Sequence, residues 1–155
     1  MNDEDRQTPL ARLFAIAYRD LVDGLHARLR ERGWTDVRPA FGFALLAARD
    51  GPTSVTELAA LMGMTKQAAS KLAAAMIDAG YLVTAAGADD GRVRPLRLSA
   101  RGRRLLATVE QIYAELEAEW ADAIGAGALE RLRRDLTRAI LASHGGDMPA
   151  VRPTL

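Results

Sequence analysis

Apolar residues recur every three or four positions through most of this chain, and the interruptions mark its elements. Leu10, Phe14, Ala17, Leu21, Leu25 and Leu29 lie at helical spacing. Thr8 and Pro9 are suited to open that helix as cap and first helical residue, and Gly33 to end it after about Arg32. The run is long beside a usual helix of ~11–12 residues, and long helices in small proteins often bury one face against a second chain. Trp34 to Arg38 reads as a loop. Pro39 begins a second helix carrying Phe41, Leu45 and Ala48, and Asp50-Gly51-Pro52 is a firm break.

The stretch from Ser54 to Ala79 predicts two short helices joined by a tight turn at Met62-Gly63-Met64. Ser54 with Glu57 three positions on is a capping-box pattern, in which hydroxyl and carboxylate each satisfy a free backbone N–H. Leu58, Ala59, Leu61 and Met62 give the first helix an apolar side, Gly63 stops it, and Thr65 can cap the next. In that second helix Ala69, Leu72, Ala73, Met76 and Ile77 form a stripe expected to be buried. Lys66, Gln67, Ser70, Lys71 and Ala74 form the opposite face, with no acid before Asp78. Alanines keep this helix slim. A helix-turn-helix needs that arrangement, because the major groove admits one helix whose early residues meet base edges while cations and hydroxyls reach phosphates. The plainer reading is an amphipathic hairpin with a solvated polar face.

After Gly80 the period falls to two. Residues 81–84 and 93–98 are short β-type runs, and Ala88 to Arg92 supplies turn residues, so a β-hairpin is expected. Pro95 cannot donate to a ladder, which confines it to an edge or a bulge. Arg92 at the hairpin tip could lie in a minor groove, where cations are attracted; the alternative is a simple pairing with Asp90. Ser99 then caps a second long helix, with Leu105, Val109, Ile112, Leu116 and Trp120 on one stripe. Gly125-Ala126-Gly127 should break it. A last helix carries Leu129, Leu132, Leu136 and Ile140, and the residues from Gly145 are expected to be disordered.

Charge sharpens this picture. The 155 residues sum to +1, but from Met64 to Arg104 eight Lys and Arg face three acids, leaving −4 on the remainder. A basic segment that begins at the candidate recognition helix is the footprint of a polyanion-binding face. The absence of cysteine removes disulfides, thiolate metal sites and thiol-based peroxide sensing. No stretch of eighteen uncharged apolar residues occurs, and the polar start lacks the features of a signal peptide, so a cytoplasmic protein without membrane partners is expected. His26 and His144 lie far apart, and no HExxH, phosphate loop or cysteine nucleophile is present. An enzyme is not expected, and neither is a metal or cofactor.

The order of elements, with LAALMGMTKQAASKLAAAMIDAGYLV at 58–83 and DDGRVRPLRLSARG at 89–102, resembles the MarR family of winged helix-turn-helix transcription regulators. Asp90-x-Arg92, followed by an apolar strand, a Ser and a Gly, is similar to that family's wing signature. The resemblance spans about residues 10 to 143. It implies a mainly α fold with a small β-hairpin wing: a winged helix-turn-helix at 37–102, and a dimerisation region formed by N- and C-terminal helices at 9–36 and 103–143, between tails at 1–8 and 144–155. It implies a homodimer on a pseudo-palindromic double-stranded operator, acting as a repressor. Carried over by position, Thr65, Lys66, Gln67, Ser70, Lys71 and Arg94 would meet DNA, Arg92 would enter the minor groove, and Asp90 would orient it. The family commonly has further basic residues leading into the wing, but Thr84 to Ala88 carries none, which shifts affinity toward the helix.

Many members release DNA when a small aromatic or anionic molecule binds between the dimer helices and the DNA-binding lobe. The candidate residues for such a pocket here are Tyr18, His26, Trp34, Arg38 and Phe41, since an arginine beside aromatic walls suits an aromatic carboxylate. The alternative to DNA binding is a winged-helix module that docks onto another protein through the same hairpin. An acidic or strongly apolar helix face would have favoured that alternative; the face found here favours DNA.

Overall fold

Local capping sets the frame on which everything else packs. In a computed structural model that describes residues 7–85 and 94–151, Ser54 Oγ accepts from the Glu57 amide at 3.0 Å, and the Glu57 carboxylate accepts from the Ser54 amide at 3.4 Å. This box starts helix α3 (Val55–Met62). The helix ends at Gly63, whose φ of 65° and ψ of 33° lie in the left-handed region that a side chain disfavours. The Met64 amide then donates back to the Ala59 carbonyl at 3.0 Å. Thr65 caps helix α4 (Lys66–Asp78), its Oγ1 accepting from the Ala68 amide at 3.1 Å. The helix-turn-helix therefore forms from contacts three to five residues apart.

The other helices are α1 (Leu10–Glu31), α2 (Pro39–Ala47), α5 (Ala100–Ile124) and α6 (Ala126–Ser143). Strands β1 (Leu82–Thr84) and β2 (Leu96–Leu98) pair antiparallel, with Leu82 opposite Leu98 and Thr84 opposite Leu96. Leu96 and Leu98 are buried and Arg97 between them is exposed, as alternation requires. Residues 86–93, where the turn of the hairpin and the roles of Asp90 and Arg92 are expected, lie outside the described residues. A rung absent from the sequence reading extends the sheet. Thr53 and Leu96 exchange backbone hydrogen bonds of 2.9 and 2.7 Å, tying the start of α3 to the base of the wing. Buried Thr53 also donates its hydroxyl to Glu57, so one carboxylate serves both the cap and the sheet.

Four sequence expectations change in detail. Pro9, not Thr8, stands at the start of α1, without a side-chain cap. Ile77 on α4 is exposed, because the buried stripe of Ala69, Ala73 and Met76 turns away from it near the helix end. The expected break at Gly125-Ala126-Gly127 narrows to Gly125 alone, whose φ of 94° lets α6 begin at Ala126. The chain after α6 opens with a turn in which the Gly146 amide donates to the Leu141 carbonyl at 2.8 Å.

The core lies where α2, the helix-turn-helix and the sheet meet the first half of α5. Phe41, Leu45, Leu58, Met76, Tyr81 and Ile112 are among its fully buried members. Helix α1 joins it only through its C-terminal half, at Leu25 and Leu29. Arg28 and Arg32 there pair with Glu115 and Glu119 across to α5. The same stripe continues outward into Leu10, 67% exposed, and Phe14, 43% exposed. Helix α6 packs on α5 and has no buried residue.

Among the described glycines the closest backbone approach is at Gly102, in the first turn of α5. A Cβ there would sit 2.1 Å from the Tyr81 carbonyl oxygen, so the two backbones meet only because this residue is glycine. Gly102→Ala is expected to push α5 off the start of β1 and destabilise the protein by about 1–3 kcal/mol. Urea denaturation checks this; an unchanged midpoint would show that the contact is loose.

Candidate nucleic-acid interface

The burial of one side of α4 determines what the other side presents. With Ala69, Ala73 and Met76 in the core, Lys66, Gln67, Ser70, Lys71 and Ala74 are all exposed along the outward face. Exposed Ala68 and Ala74 add little bulk between the polar groups. Thr65 is exposed at the helix start; its oxygen accepts the capping bond while its proton stays available to an outside acceptor. The free N–H groups of the first turn and the helix dipole make this same end the electropositive one. The five α4-linked residues expected to meet DNA are thus on one surface, and a cation, an amide and a hydroxyl lead it.

Arg94 is exposed just before β2, and Arg97 is exposed on the strand itself. With Arg103 and Arg104 exposed in the first turn of α5, the described part of the basic segment projects its cations outward rather than into the core. Among the described residues no group of three or more His, Asp or Glu lies close enough to hold a metal ion, and no helix is long and apolar enough to cross a membrane.

The second candidate site divides. A cavity of about 220 Å³ opens between α1, α2 and α5, with Tyr18, His26 and Arg38 in its wall. Burial lowers the pKa of His26, Arg30 adds to that and Asp23 opposes it, a balance that favours the uncharged imidazole. Trp34 and Phe41, expected in the same wall, are elsewhere. Both pack on Tyr81, with ring centroids 6.1 and 6.0 Å away. Phe43, two residues along α2, lines the cavity instead. The reason is that α2 is apolar all round, so its spacing does not say which phenylalanine faces which way.

Val109, Glu110 and Tyr113 of α5 complete the cavity; Val109 was expected only as part of the apolar stripe of α5, and Glu110 and Tyr113 were not singled out from the sequence. Tyr113 could have been, since it follows Val109 by one helical turn. Burial pushes the Tyr113 phenol up, and neighbouring Tyr18 adds to it. Glu110 is drawn to the rim by Arg49, 3.4 Å away. The lining is otherwise apolar, with Arg38 supplying a cation at its edge, 5.7 Å from the Phe41 ring.

Residues 43–93 match the sequence model of the MarR family. Comparison with the curated proteins gives no match. Among solved structures, apo MarR from E. coli aligns with a TM-score of 0.70 at 18% identity, over 87% of this chain and 99% of that one. A MarR family protein from Mycobacterium tuberculosis, in complex with salicylic acid, aligns at 0.66 and 25% identity, over 86% and 97%. A transcriptional regulator from Thermotoga maritima aligns at 0.65 and 18%, over 91% and 98%. At such identities the likeness is one of fold, and the family model supplies the sequence link at the helix-turn-helix and wing. The chain thus carries the MarR family's sequence signature over residues 43–93, within the fold of the solved MarR-family proteins.

Proposed function

We propose that the protein is a sequence-specific DNA-binding transcriptional regulator that acts as a homodimer and represses until a small aromatic or anionic molecule releases it. The observation that carries this reading is the outward face of α4, slim, cationic and polar, on a helix whose other side is locked in the core. A helix of this kind can enter a major groove, with Lys66 and Lys71 on phosphates and Gln67 toward base edges. The part played by Arg92 and Asp90 at the wing tip belongs to the same proposal, as does the division into an operator-binding unit at 37–102 and dimerisation helices at 9–36 and 103–143.

Two features support the finer points. The apolar stripe of α1 runs past its contact with α5 and stays exposed at Leu10, Leu13 and Phe14, alongside an α6 without a buried residue. Such faces are covered when two copies pair. The cavity walled by Tyr18, His26 and Arg38 is largely apolar, with the Arg38 cation available at its edge and the Glu110 carboxylate paired with Arg49, which suits an aromatic carboxylate, and a relative of the same fold was solved with salicylic acid.

The test is fluorescence anisotropy with the DNA beside the protein's own gene and a scrambled control, across a salt series. Preferential, salt-sensitive binding to the native fragment is expected. Equal weak binding to both would reject the regulator in favour of a protein-docking module. Lys66→Ala and Lys71→Ala should each lower the salt slope by about one unit, and an unchanged slope would remove that lysine from the phosphate contacts. Gln67→Ala should cost ~1–3 kcal/mol on the native fragment alone. Equal losses on both DNAs would deny it a base contact. Light scattering at micromolar concentration should give twice the chain mass; a monomer would refute the dimer.

A further inference from the structure

Outside the DNA-facing surface, Arg101, in the first turn of α5, makes hydrogen bonds, an ion pair and two ring contacts at once. Its Nε donates to the Ala79 carbonyl at 3.2 Å, at the C-terminal cap of α4. Its Nη2 donates to the Tyr81 hydroxyl at 3.3 Å and lies 3.8 Å from the Asp36 carboxylate. The Tyr81 hydroxyl in turn donates to Asp36. The guanidinium lies 5.1 Å from the Trp34 ring centroid and 5.0 Å from that of Tyr81. A planar cation with five donors can meet all four groups at once; an ammonium cannot.

These contacts join three parts of the chain. Ala79 and Tyr81 carry the exit of α4, Arg101 starts α5, and Trp34 and Asp36 belong to the connection between α1 and α2. That connection runs directly into Val37, Arg38 and Pro39 of the cavity wall. The cation also sits at the negative end of the α4 dipole, where it is favoured. Burial of Ala69, Ala73 and Met76 holds the inner side of α4 in the core, and the pitch and axial position of its C-terminal end are what a further contact there can set. A directional set of hydrogen bonds at one end defines both.

We infer that Arg101, braced by Asp36, Tyr81 and Trp34, is a positioning residue that sets the pose of the recognition helix for base readout. The inference rests on the DNA-binding reading and deepens it. Arg101 is part-exposed but engages internal partners through both Nε and Nη2, and on this inference it acts on specificity through α4 rather than by touching DNA.

The experiment compares the full-length protein with Arg101→Gln and Asp36→Ala. Anisotropy on the native and scrambled fragments across salt is combined with amide hydrogen exchange on the free proteins. Both variants should bind the native fragment about threefold to thirtyfold more weakly, with little change on scrambled DNA. Arg101→Gln should keep the wild-type salt slope; a fall of about one unit would mark a phosphate contact and overturn the inference. Asp36→Ala supplies the decisive sign. Removing an acid should tighten binding to a polyanion if charge alone matters, whereas loss of the brace weakens it. Tighter or unchanged binding overturns the inference, as does a lowered melting temperature with an unchanged ratio of native to scrambled affinity. If the wild type itself shows no preference for the native fragment, the regulator reading fails and exchange decides alone. Faster exchange from Ile77 to Tyr81 in both variants then supports the brace, and unchanged exchange refutes it.

Discussion

Tyr81 stands where the α1–α2 connection, α2, the end of α4 and the start of α5 meet, and the way its groups are satisfied ties these elements together. Its amide donates to the Met76 carbonyl at 2.8 Å and closes α4; its carbonyl accepts from the Ser99 amide at 3.0 Å and meets Gly102 across the first turn of α5. The ring is fully buried between Trp34 and Phe41, while the hydroxyl reaches Asp36 and Arg101. Burial, reinforced by the bond to Asp36, pushes the phenol pKa up to about 12, so the hydroxyl remains a donor at any physiological pH. Truncating a buried aromatic typically costs about 3–5 kcal/mol. Here it would also leave a carboxylate and a guanidinium without their common partner.

From that corner the structure divides into a locked side and an open side. Inside, Ser99 repeats the double duty of Glu57: its Oγ accepts from the Gly102 amide at 2.9 Å and donates to the Gly80 carbonyl. The helix-turn-helix, the sheet and the start of α5 therefore share hydrogen bonds as well as apolar surface. Outside, among the described residues, the polar face of α4 and the apolar reach of α1 both stay uncovered. The first is costly to bury without a partner of opposite charge, because its lysines lose hydration. The second gains from burial against almost any apolar surface. One invites a polyanion, the other a second copy, and the proposed function needs both.

The cavity between α1, α2 and α5 sits beside this corner. Arg38 and Pro39 in its wall follow within three residues of Asp36, which bonds Tyr81. Arg38, His26 and Glu110 in its lining give it a polarity that an apolar core void lacks. Exposed charge pairs such as Arg133 with Glu117 and Arg28 with Glu119 contribute little by comparison, since solvent screens them.

What the sequence determined by itself was whatever is decided within a helical turn or two. The Ser54–Glu57 box, the Gly63 turn, the Thr65 and Ser99 caps and the separation of apolar and polar faces on α4 all depend on neighbours three to five residues away. Those neighbours are visible in one dimension. The tertiary structure decided what depends on which element lies opposite. It made Ile77 a surface residue, sent Trp34 and Phe41 to Tyr81 while Phe43 took the cavity, paired Thr53 with Leu96, and brought Arg101 to Asp36. Helix α2 is apolar on all sides and so carries no periodic mark of its own orientation. The partners of Arg101 lie 20 to 67 residues before it, and a cation's spacing from its neighbours says nothing about an acid that far away. Faces can be read from period; the choice of partner for each face is made only when the layers close.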